Sequence, residues 1–137
     1  MEQHDEKNYS KALALYRIDT AEDDLKVACD LYEENRLRFA NNRAYYSIFH
    51  AITAIYALDG SQYRKHKDAI ANFNKNYIHA GVFPRVYGRK IAEAEEIRHA
   101  SDYDDFYIAS KEETEELITT ARELLTLIKE YVDNKKK

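Results

Sequence analysis

The sequence predicts an all-α protein, a helical bundle of four long helices plus one short helix. Its 137 residues include 3 Gly and 1 Pro, so few residues favour the tight turns that join short strands. Apolar residues recur at intervals of three and four along most of the chain, which is typical of helices with one buried face. The length suits one compact domain over residues 1–137, and residues 1–7 and 133–137 are expected to form frayed tails.

The first two helices are predicted from this period and from their end signals. The first extends from about residue 8 to residue 34, with a buried stripe of Ile18, Ala21, Leu25, Ala28 and Tyr32. A short turn at residues 35–38 leads to the second helix, which ends near Leu58 and has Asn41 or Asn42 as its expected N-cap. Because apolar residues surround the second helix on most sides, we expect it to be central, with a second subunit as a candidate cover on one side.

Turn-forming residues separate the next helices. Gly60 ends the second helix, because glycine tolerates the left-handed conformation at a helix C-terminus. A shorter third helix follows over about residues 65–77. After a break at Gly81, Pro84 suits the first turn of a fourth helix that reaches about Ala100.

The last helix begins at a capping box. Ser110 and Glu113 can satisfy each other's free backbone N–H groups, and the acidic residues of this turn favour a helix N-terminus. The preceding residues 102–107 follow neither the helical nor the strand period and are expected to form an ordered loop. The buried stripe of the last helix consists of Leu117, Ala121, Leu124, Ile128 and Tyr131.

Composition argues against several classes of protein. Cys29 is the single cysteine, so no internal disulfide can form, and the chain starts without the basic and apolar regions of a signal peptide. No apolar run approaches the ~20 residues that span a bilayer. These features predict a cytoplasmic protein without a membrane partner.

The sequence contains no recognisable motif for binding a metal or a cofactor. His4, His79 and His99 lack partners at the spacing of metal ligands, and one cysteine is too few for a structural zinc site. The sequence contains no glycine-rich phosphate loop and no G-x-S-x-G segment. We therefore predict that the protein uses no metal and no cofactor.

Charge is unevenly distributed along the chain, whose net charge is −4. Residues 1–35 carry 4 basic and 10 acidic side chains, residues 36–98 carry 11 and 5, and residues 99–137 carry 6 and 10. The basic middle part suits an anionic ligand confined to one face. Pairing of these basic residues with acidic neighbours is an equally good explanation.

An arginine and a histidine lie within the apolar second helix. Arg43 and His50 are seven positions apart, so they share one helix face, with Tyr46 and Ser47 between them. This row of cation, phenol, hydroxyl and imidazole suits a phosphate-bearing ligand. Two structural interpretations stay open: a buried His50 bonded to a neighbouring hydroxyl or carbonyl, and a salt bridge from Arg43 to Asp102.

Further candidate binding residues lie outside this row. Lys65 and His66 begin the third helix, where backbone N–H groups attract anions, although ordinary surface exposure is the preferred interpretation for His66. Arg98 and Asp102 are four residues apart at a helix end and can form a local ion pair or cap. Tyr103 offers either a core aromatic ring with a bonded hydroxyl or a surface for base stacking.

Three short motifs resemble the HEPN superfamily, in particular its small stand-alone members of the UPF0332 type. These members share an N-R-x-Y-Y-x-x-F-H-A segment, a K-x-H or K-H element and an R-x-x-x-D-Y element. The matching residues are Asn42-Arg43-Ala44-Tyr45-Tyr46-Ser47-Ile48-Phe49-His50-Ala51, Lys65-His66, Phe73, Arg98 and Asp102-Tyr103. The resemblance covers about residues 15–131.

The resemblance implies a helical bundle that commonly dimerises, often beside a nucleotidyltransferase-like partner in a toxin–antitoxin or related pair. Many members are metal-independent ribonucleases with an Arg and a His separated by four to six residues, here Arg43 and His50, with the polar Asn42 next to the arginine. Other members bind nucleotides or serve as non-catalytic modules. This chain has Ala44 where many active members have a polar residue, and Ile52 where some have a tyrosine.

RNA cleavage without a metal requires a base, an acid and a cation at the phosphate, which imidazole and guanidinium groups can supply. Two helical turns separate Arg43 from His50 by about 10 Å, too far for a compact one-chain site unless the arginine folds back. We therefore expect a homodimer to bring two such rows together. The alternatives are a non-catalytic module that binds a nucleotide or a partner protein, and a dimer in which the polar row only joins helices.

Overall fold

The structure, a computed structural model, describes residues 2–135, with side chains for residues 9–135. Its elements are α1 (Glu2–Glu33), α2 (Leu37–Asp59), α3 (His66–Phe73), a π-helix (Asn74–Ile78), α4 (Val86–Tyr103) and α5 (Lys111–Lys135). The described part of the chain has no strand, so the predicted all-α bundle is confirmed. None of these helices combines the length and the apolarity that crossing a membrane requires.

α2 lies at the centre of the bundle, as its apolar residues predicted. Tyr45, Ile48, Ile52 and Ile55 of this helix have no exposed surface. Burial of side chains of this size contributes about 1.5–3 kcal/mol each relative to exposure in water. The fully buried partners from other elements include Phe73, Ile91, Leu124, Ile128 and Val132.

α1 runs antiparallel to α2 and packs along it. The hydroxyl of Ser47 donates to the carbonyl of Ala21 (2.7 Å), and Arg17 Nη1 donates to the carbonyl of Thr53 (2.8 Å). Residue numbers therefore rise along one helix as they fall along the other. This arrangement places the polar residues of α1 beside residues 43–50 of α2.

α4 also runs antiparallel to α2, and Arg38 joins the start of α2 to the end of α4. Arg38 Nε donates to the carbonyl of Ser101 (2.9 Å), and Nη2 donates to the carbonyls of Ala100 (3.2 Å) and Asp104. The amide of Asn41 donates to the Ser101 hydroxyl (3.1 Å). The guanidinium thus donates to three carbonyl groups at the end of α4, where fewer backbone N–H groups are available to pair with them.

The turn between α1 and α2 is shorter than predicted. Asn35 adopts a left-handed conformation (φ 62°), and the N–H of Arg36 bonds the carbonyl of Leu31 (2.8 Å), which closes α1 within the predicted turn. α2 then begins before Asn41 and Asn42, and both lie inside the helix. The prediction of an N-cap at Asn41 or Asn42 was therefore wrong.

The predicted third helix is divided into two kinds of helix. Its α-helical part ends at Phe73, and a wider π-helical turn follows, in which the N–H of His79 bonds the carbonyl of Asn74 (2.8 Å). The hydroxyl of Tyr77 within this turn donates to Asp59 at the end of α2 (2.6 Å). The periodicity of three and four could not distinguish a π-helical turn from an α-helical one.

α4 begins and ends later than predicted. It starts at Val86, just after Pro84, and it extends to Tyr103. Residues 102 and 103 are therefore helical, and the loop predicted from residue 102 begins after them. The bonds from Arg38 to the last carbonyls of α4 stabilise these additional residues.

Two of the predicted helix ends are confirmed. Gly60 adopts a left-handed conformation (φ 85°) at the end of α2, and its N–H bonds the carbonyl of Tyr56. The N–H of Glu113 bonds the hydroxyl of Ser110 (3.1 Å) at the start of α5, as expected for a capping box.

The terminal helices extend into the segments that were predicted as frayed tails. α1 includes residues 2–7 and α5 includes residues 133–135. Residues 1, 136 and 137 of the predicted tails lie outside the described residues.

Candidate functional site

Asp24 of α1 joins Arg43 and His50 of α2 into one cluster. Its Oδ1 accepts a hydrogen bond from Arg43 Nη1 (3.1 Å), and its Oδ2 lies 2.6 Å from His50 Nδ1. Asp24 is buried, with 7% of its surface exposed. Arg43 and His50 therefore converge on one carboxylate within a single chain, which the distance of two helical turns had not led us to expect. The homodimer that would bring two such rows together stays a prediction.

The two ends of this cluster remain accessible to solvent. The side chains of Arg43 and His50 are 36% and 31% exposed. A carboxylate only accepts hydrogen bonds, so the tautomer of a neutral His50 that fits Asp24 carries its proton on Nδ1 and leaves Nε2 as a proton acceptor. Arg43 uses two of its five N–H groups on Asp24 and Asn42, and the other three can bind an anion.

Asn42 links the cluster to α4. Its Oδ1 accepts a hydrogen bond from Arg43 Nε (3.0 Å), and its Nδ2 contacts both carboxylate oxygens of Asp102 (3.2 and 3.0 Å). Asp102 also lies 3.6 Å from Arg98, the local ion pair that the spacing of four residues allowed. The salt bridge that was the structural alternative for Arg43 is present, but its partner is Asp24 and not Asp102.

Tyr46 packs against Arg43 of the cluster, and Tyr45 packs against the neighbouring Arg98. Arg43 Cζ lies 5.0 Å from the centre of the Tyr46 ring, and Arg98 Cζ lies 4.7 Å from the centre of the Tyr45 ring. Tyr45 is fully buried, and this burial raises the pKa of its hydroxyl to about 12. Tyr46 is half-buried, so part of its ring borders the accessible surface.

His66 belongs to the same surface, although ordinary exposure was the preferred expectation for it. Its ring stacks on Phe49 with the ring centres 3.9 Å apart, and its centre lies 5.6 Å from that of Tyr46. Burial, the positive charge of Arg98 and the neighbouring His50 together lower the pKa of His66. Lys65, one residue earlier, is exposed at the start of α3.

Two of the predicted binding residues make their contacts outside the Arg43–His50 cluster. Ser47 is fully buried and its hydroxyl bonds the carbonyl of Ala21, so the structure places it in the contact between α1 and α2. Tyr103 is 68% exposed, which excludes a role as a core aromatic residue. It lies beside His99 and, with Arg98, borders a separate cavity of about 700 Å³.

The sequence analysis missed Asp24 and a pocket next to His50. Asp24 follows Ala21 by three residues and precedes Ala28 by four, so an acidic residue on the buried stripe was a signal that could have found it. The pocket has a volume of about 440 Å³, and its basic residues Arg17 and Arg64 come from different parts of the chain. No sequence spacing indicated that these two arginines would lie near His50.

The described residues contain no group of three His, Cys, Asp or Glu side chains that could bind a metal ion. The absence of a metal and of a cofactor therefore stays a prediction. The site as described offers a base, a cation and a buried carboxylate, which is a set of groups suited to proton transfer next to an anion.

The fold and the site together define a class of protein, a small all-α bundle whose central helix presents an Arg and a His bonded to one buried carboxylate. The HEPN domain model matches residues 14–131 of the chain. The chain therefore belongs to the HEPN domain family, which confirms the resemblance noted from its motifs.

Similar proteins cover most of the same region. A Methanocaldococcus jannaschii protein named "Putative toxin" is 32% identical over 112 residues, which cover 82% of this chain and 83% of that protein. A Thermotoga maritima protein named "UPF0332 protein" is 27% identical over 115 residues, covering 84% and 85%. A Pyrococcus horikoshii protein with the same UPF0332 designation is 36% identical over 77 residues, covering 56% and 54%. These relatives agree with a small HEPN protein of the UPF0332 type.

Proposed function

We propose that this protein is a toxin-like HEPN protein that cleaves RNA, with Arg43 and His50 as its catalytic pair. The observation that carries the proposal is the buried carboxylate of Asp24, which contacts both side chains while each stays about one-third exposed. Membership of the HEPN family and the name of the M. jannaschii relative support a toxin-like role.

In the proposed reaction, the 2′-hydroxyl of the RNA attacks the adjacent phosphorus and the bond to the 5′-oxygen breaks. Nε2 of His50 takes the proton of the 2′-hydroxyl, and the departing 5′-oxygen takes a proton from water. The free N–H groups of Arg43 bind the phosphate oxygens as their negative charge increases. Asp24 stabilises the imidazolium that forms. The products are a 2′,3′-cyclic phosphate and a 5′-hydroxyl.

One observation favours a second candidate, a non-catalytic module that binds a nucleotide or a partner protein. The three N–H groups that Arg43 does not use on Asp24 and Asn42 can bind a phosphate group whether or not His50 acts as a base. In that case the exposed part of the cluster would bind a phosphate group without cleaving it. The two candidates differ in whether the protein cleaves RNA.

RNA incubated with purified protein and EDTA distinguishes them. We expect His50→Ala to lower kcat/KM by about 100- to 10,000-fold because it removes the base. Arg43→Ala should lower it by about 100-fold or more because the phosphate loses its cation. Asp24→Asn should lower it by about 10- to 100-fold, because the imidazole loses the group that orients it.

Two matched variants serve as controls for these changes. Asp23→Asn alters the exposed neighbour of Asp24, and His99→Ala removes an exposed histidine of α4. Both should cleave RNA like the unchanged protein. Cleavage that survives both His50→Ala and Arg43→Ala would exclude this site, and RNA binding without any cleavage would favour the module. If His50→Ala and Arg43→Ala both lower the melting temperature but change neither the binding nor the cleavage of RNA, the structural role is favoured.

The assembly belongs to the same proposal. The protein forms a homodimer and pairs with a nucleotidyltransferase-like antitoxin, as the resemblance of its motifs implies. The toxin-like name of the relative supports such a pair. Support for a dimer comes from the loop after α4, where Phe106 and Ile108 are 94% and 87% exposed.

A further inference from the structure

A pocket lies directly beside His50, on the side towards the end of α2. It has a volume of about 440 Å³ and is called here the Arg64 pocket. Its polar and aromatic lining includes Arg17, His50, Tyr63, Arg64 and His66. Pockets of roughly 300–1,000 Å³ accept small ligands, so this one has room for about one nucleotide.

The charge of the Arg64 pocket is of one sign. Arg17 and Arg64 line it, and no Asp or Glu occurs among its described lining residues. This differs from the chain as a whole, which has a net charge of −4. Arg17 uses one N–H group on the carbonyl of Thr53 (2.8 Å), and that bond positions the guanidinium while leaving four other donors. The pocket therefore suits a phosphate group.

Aromatic rings with fixed positions form the other part of the lining. The Tyr63 ring lies 4.8 Å from that of Tyr56, whose hydroxyl bonds the carbonyl of Ala69 (2.5 Å). Phe49 and His66, which also line the pocket, stack on each other. Rings fixed in this way lose little conformational entropy when a flat group packs against them. An unpaired base is such a group, and every base can stack.

The position of the pocket relates it to the candidate catalytic cluster. Along α1, Arg17 precedes Asp24 by seven residues, which is about two helical turns or 10 Å. Along α2, the order is Arg43, His50 and then Thr53. His50 therefore lies between Arg43 and the pocket and borders both. A strand whose phosphate reaches the Arg43–His50 cluster would continue into the pocket.

We propose that the Arg64 pocket binds one unpaired nucleotide of the RNA, next to the phosphate that contacts Arg43 and His50. The two arginines bind its phosphate, and Tyr63 stacks on its base. This inference rests on the proposed function, and it specifies the substrate as single-stranded RNA. A duplex cannot enter in this way, because its bases are already stacked and paired.

Binding of a non-cleavable RNA tests the proposal without requiring cleavage. The probe is a fluorescein-labelled single strand of about eight nucleotides with 2′-O-methyl groups throughout. Its binding is measured by fluorescence anisotropy in a buffer that contains EDTA. Arg64→Ala should weaken binding about tenfold and reduce the slope of log K against log salt by about 0.7, the value for one lost phosphate contact. Tyr63→Leu should weaken binding about tenfold with an unchanged slope, because stacking involves no charge.

Matched controls use side chains outside the pocket. Arg89→Ala removes an arginine of α4 whose side chain is 82% exposed, and Tyr9→Leu removes a tyrosine of α1 that is 69% exposed. Both should bind the probe like the unchanged protein, and melting temperatures of all four variants establish that they are folded. An unlabelled duplex of the same sequence should compete at least tenfold less well than the single strand.

The outcomes separate this inference from the proposed function. If Arg64→Ala and Tyr63→Leu bind like their controls, or if the duplex competes equally well, the nucleotide pocket is excluded even where cleavage by Arg43 and His50 is observed. If the two variants weaken binding but no RNA is cleaved, the pocket is supported and the ribonuclease proposal fails. If the unchanged protein does not bind the single strand, the nucleotide pocket is overturned, and the cleavage assay decides the ribonuclease proposal by itself.

Discussion

Asp24 determines what the polar row on α2 can do. Without it, Arg43 and His50 would be two separate side chains two helical turns apart on a half-exposed face. A buried carboxylate that contacts both defines the orientation of the imidazole and directs the guanidinium towards it. His66 adds a second imidazole on the same surface, with its ring stacked on Phe49. The chemistry of the site thus depends on residues from three helices.

His66 should make stability depend on pH in a defined direction. Burial and the nearby charge of Arg98 lower its pKa below the ordinary value of 6.5, so the unfolded chain binds the proton more readily than the folded one. The contribution of neutral His66 to the free energy of unfolding is complete above pH 6.5. It is lost as the pH falls through the lowered pKa. His66→Phe should remove this part of the pH dependence of the free energy of unfolding, measured by urea titrations across this range.

An NMR titration of the His66 ring protons provides a direct check. The midpoint should lie below 6.5 in the folded protein. A midpoint at or above that value would show that the burial of His66 does not disfavour its charged form.

At the scale of elements, side chains distant in sequence decide where helices end. Arg38 bonds the last carbonyls of α4 and extends this helix past the predicted end, and the left-handed Asn35 closes α1 early enough for α2 to begin before Asn41. The end of α2 at Gly60 is local, like that of α1 at Asn35, because each depends on the left-handed backbone conformation of the residue itself. Local signals therefore predict an end only where no distant side chain competes with them.

Gly60 and Gly88 should respond oppositely to alanine. A Cβ on Gly60 would meet no atom within 4 Å, but its φ of 85° is unfavourable for alanine, so Gly60→Ala should cost about 1 kcal/mol. Gly88 lies inside α4, and a Cβ there would make ordinary contacts with Ile78 (3.5 Å) and Asn74 (3.8 Å). Gly88→Ala should therefore stabilise the protein by about 0.5–1 kcal/mol.

Urea unfolding of both variants measures these differences. Each serves as the control for the other, since both add one methyl group to a glycine. A loss of stability in Gly88→Ala equal to that in Gly60→Ala would contradict the assignment of the two backbone conformations as the cause.

At the scale of the whole molecule, the basic pocket and the most exposed apolar side chains lie in different places. The basic residues that line the Arg64 pocket come from α1 and from the segment before α3, whereas the most exposed large apolar residues, Phe106 and Ile108, lie in the loop after α4. An anionic ligand and a second subunit can therefore bind at the same time. Because of this separation, substitutions can change the binding of the anionic ligand without changing the binding of a second subunit, and the reverse.

The proposed homodimer should depend on the loop after α4. The unchanged protein should have a mass of twice 16.1 kDa by light scattering after size exclusion, and the double variant Phe106→Ser with Ile108→Ser should have the mass of a monomer. Tyr16→Ser, which changes a residue that is 68% exposed on α1, is the control and should remain dimeric. A monomeric unchanged protein would contradict the dimer, and a dimeric double variant would place the contact elsewhere.

Local features of the sequence were sufficient to predict the fold class and the number of helices. They also predicted the central position of α2, the capping box at Ser110 and the helix end at Gly60. These features depend on periodicity and on the conformations of neighbouring residues, which a single chain segment contains in full. The bonds between Asp24 and the residues 19 and 26 positions later, and the pocket between Arg17 and Arg64, were decided by the tertiary structure alone. The antiparallel packing of α1 on α2 creates these contacts, and no spacing within either helix encodes them.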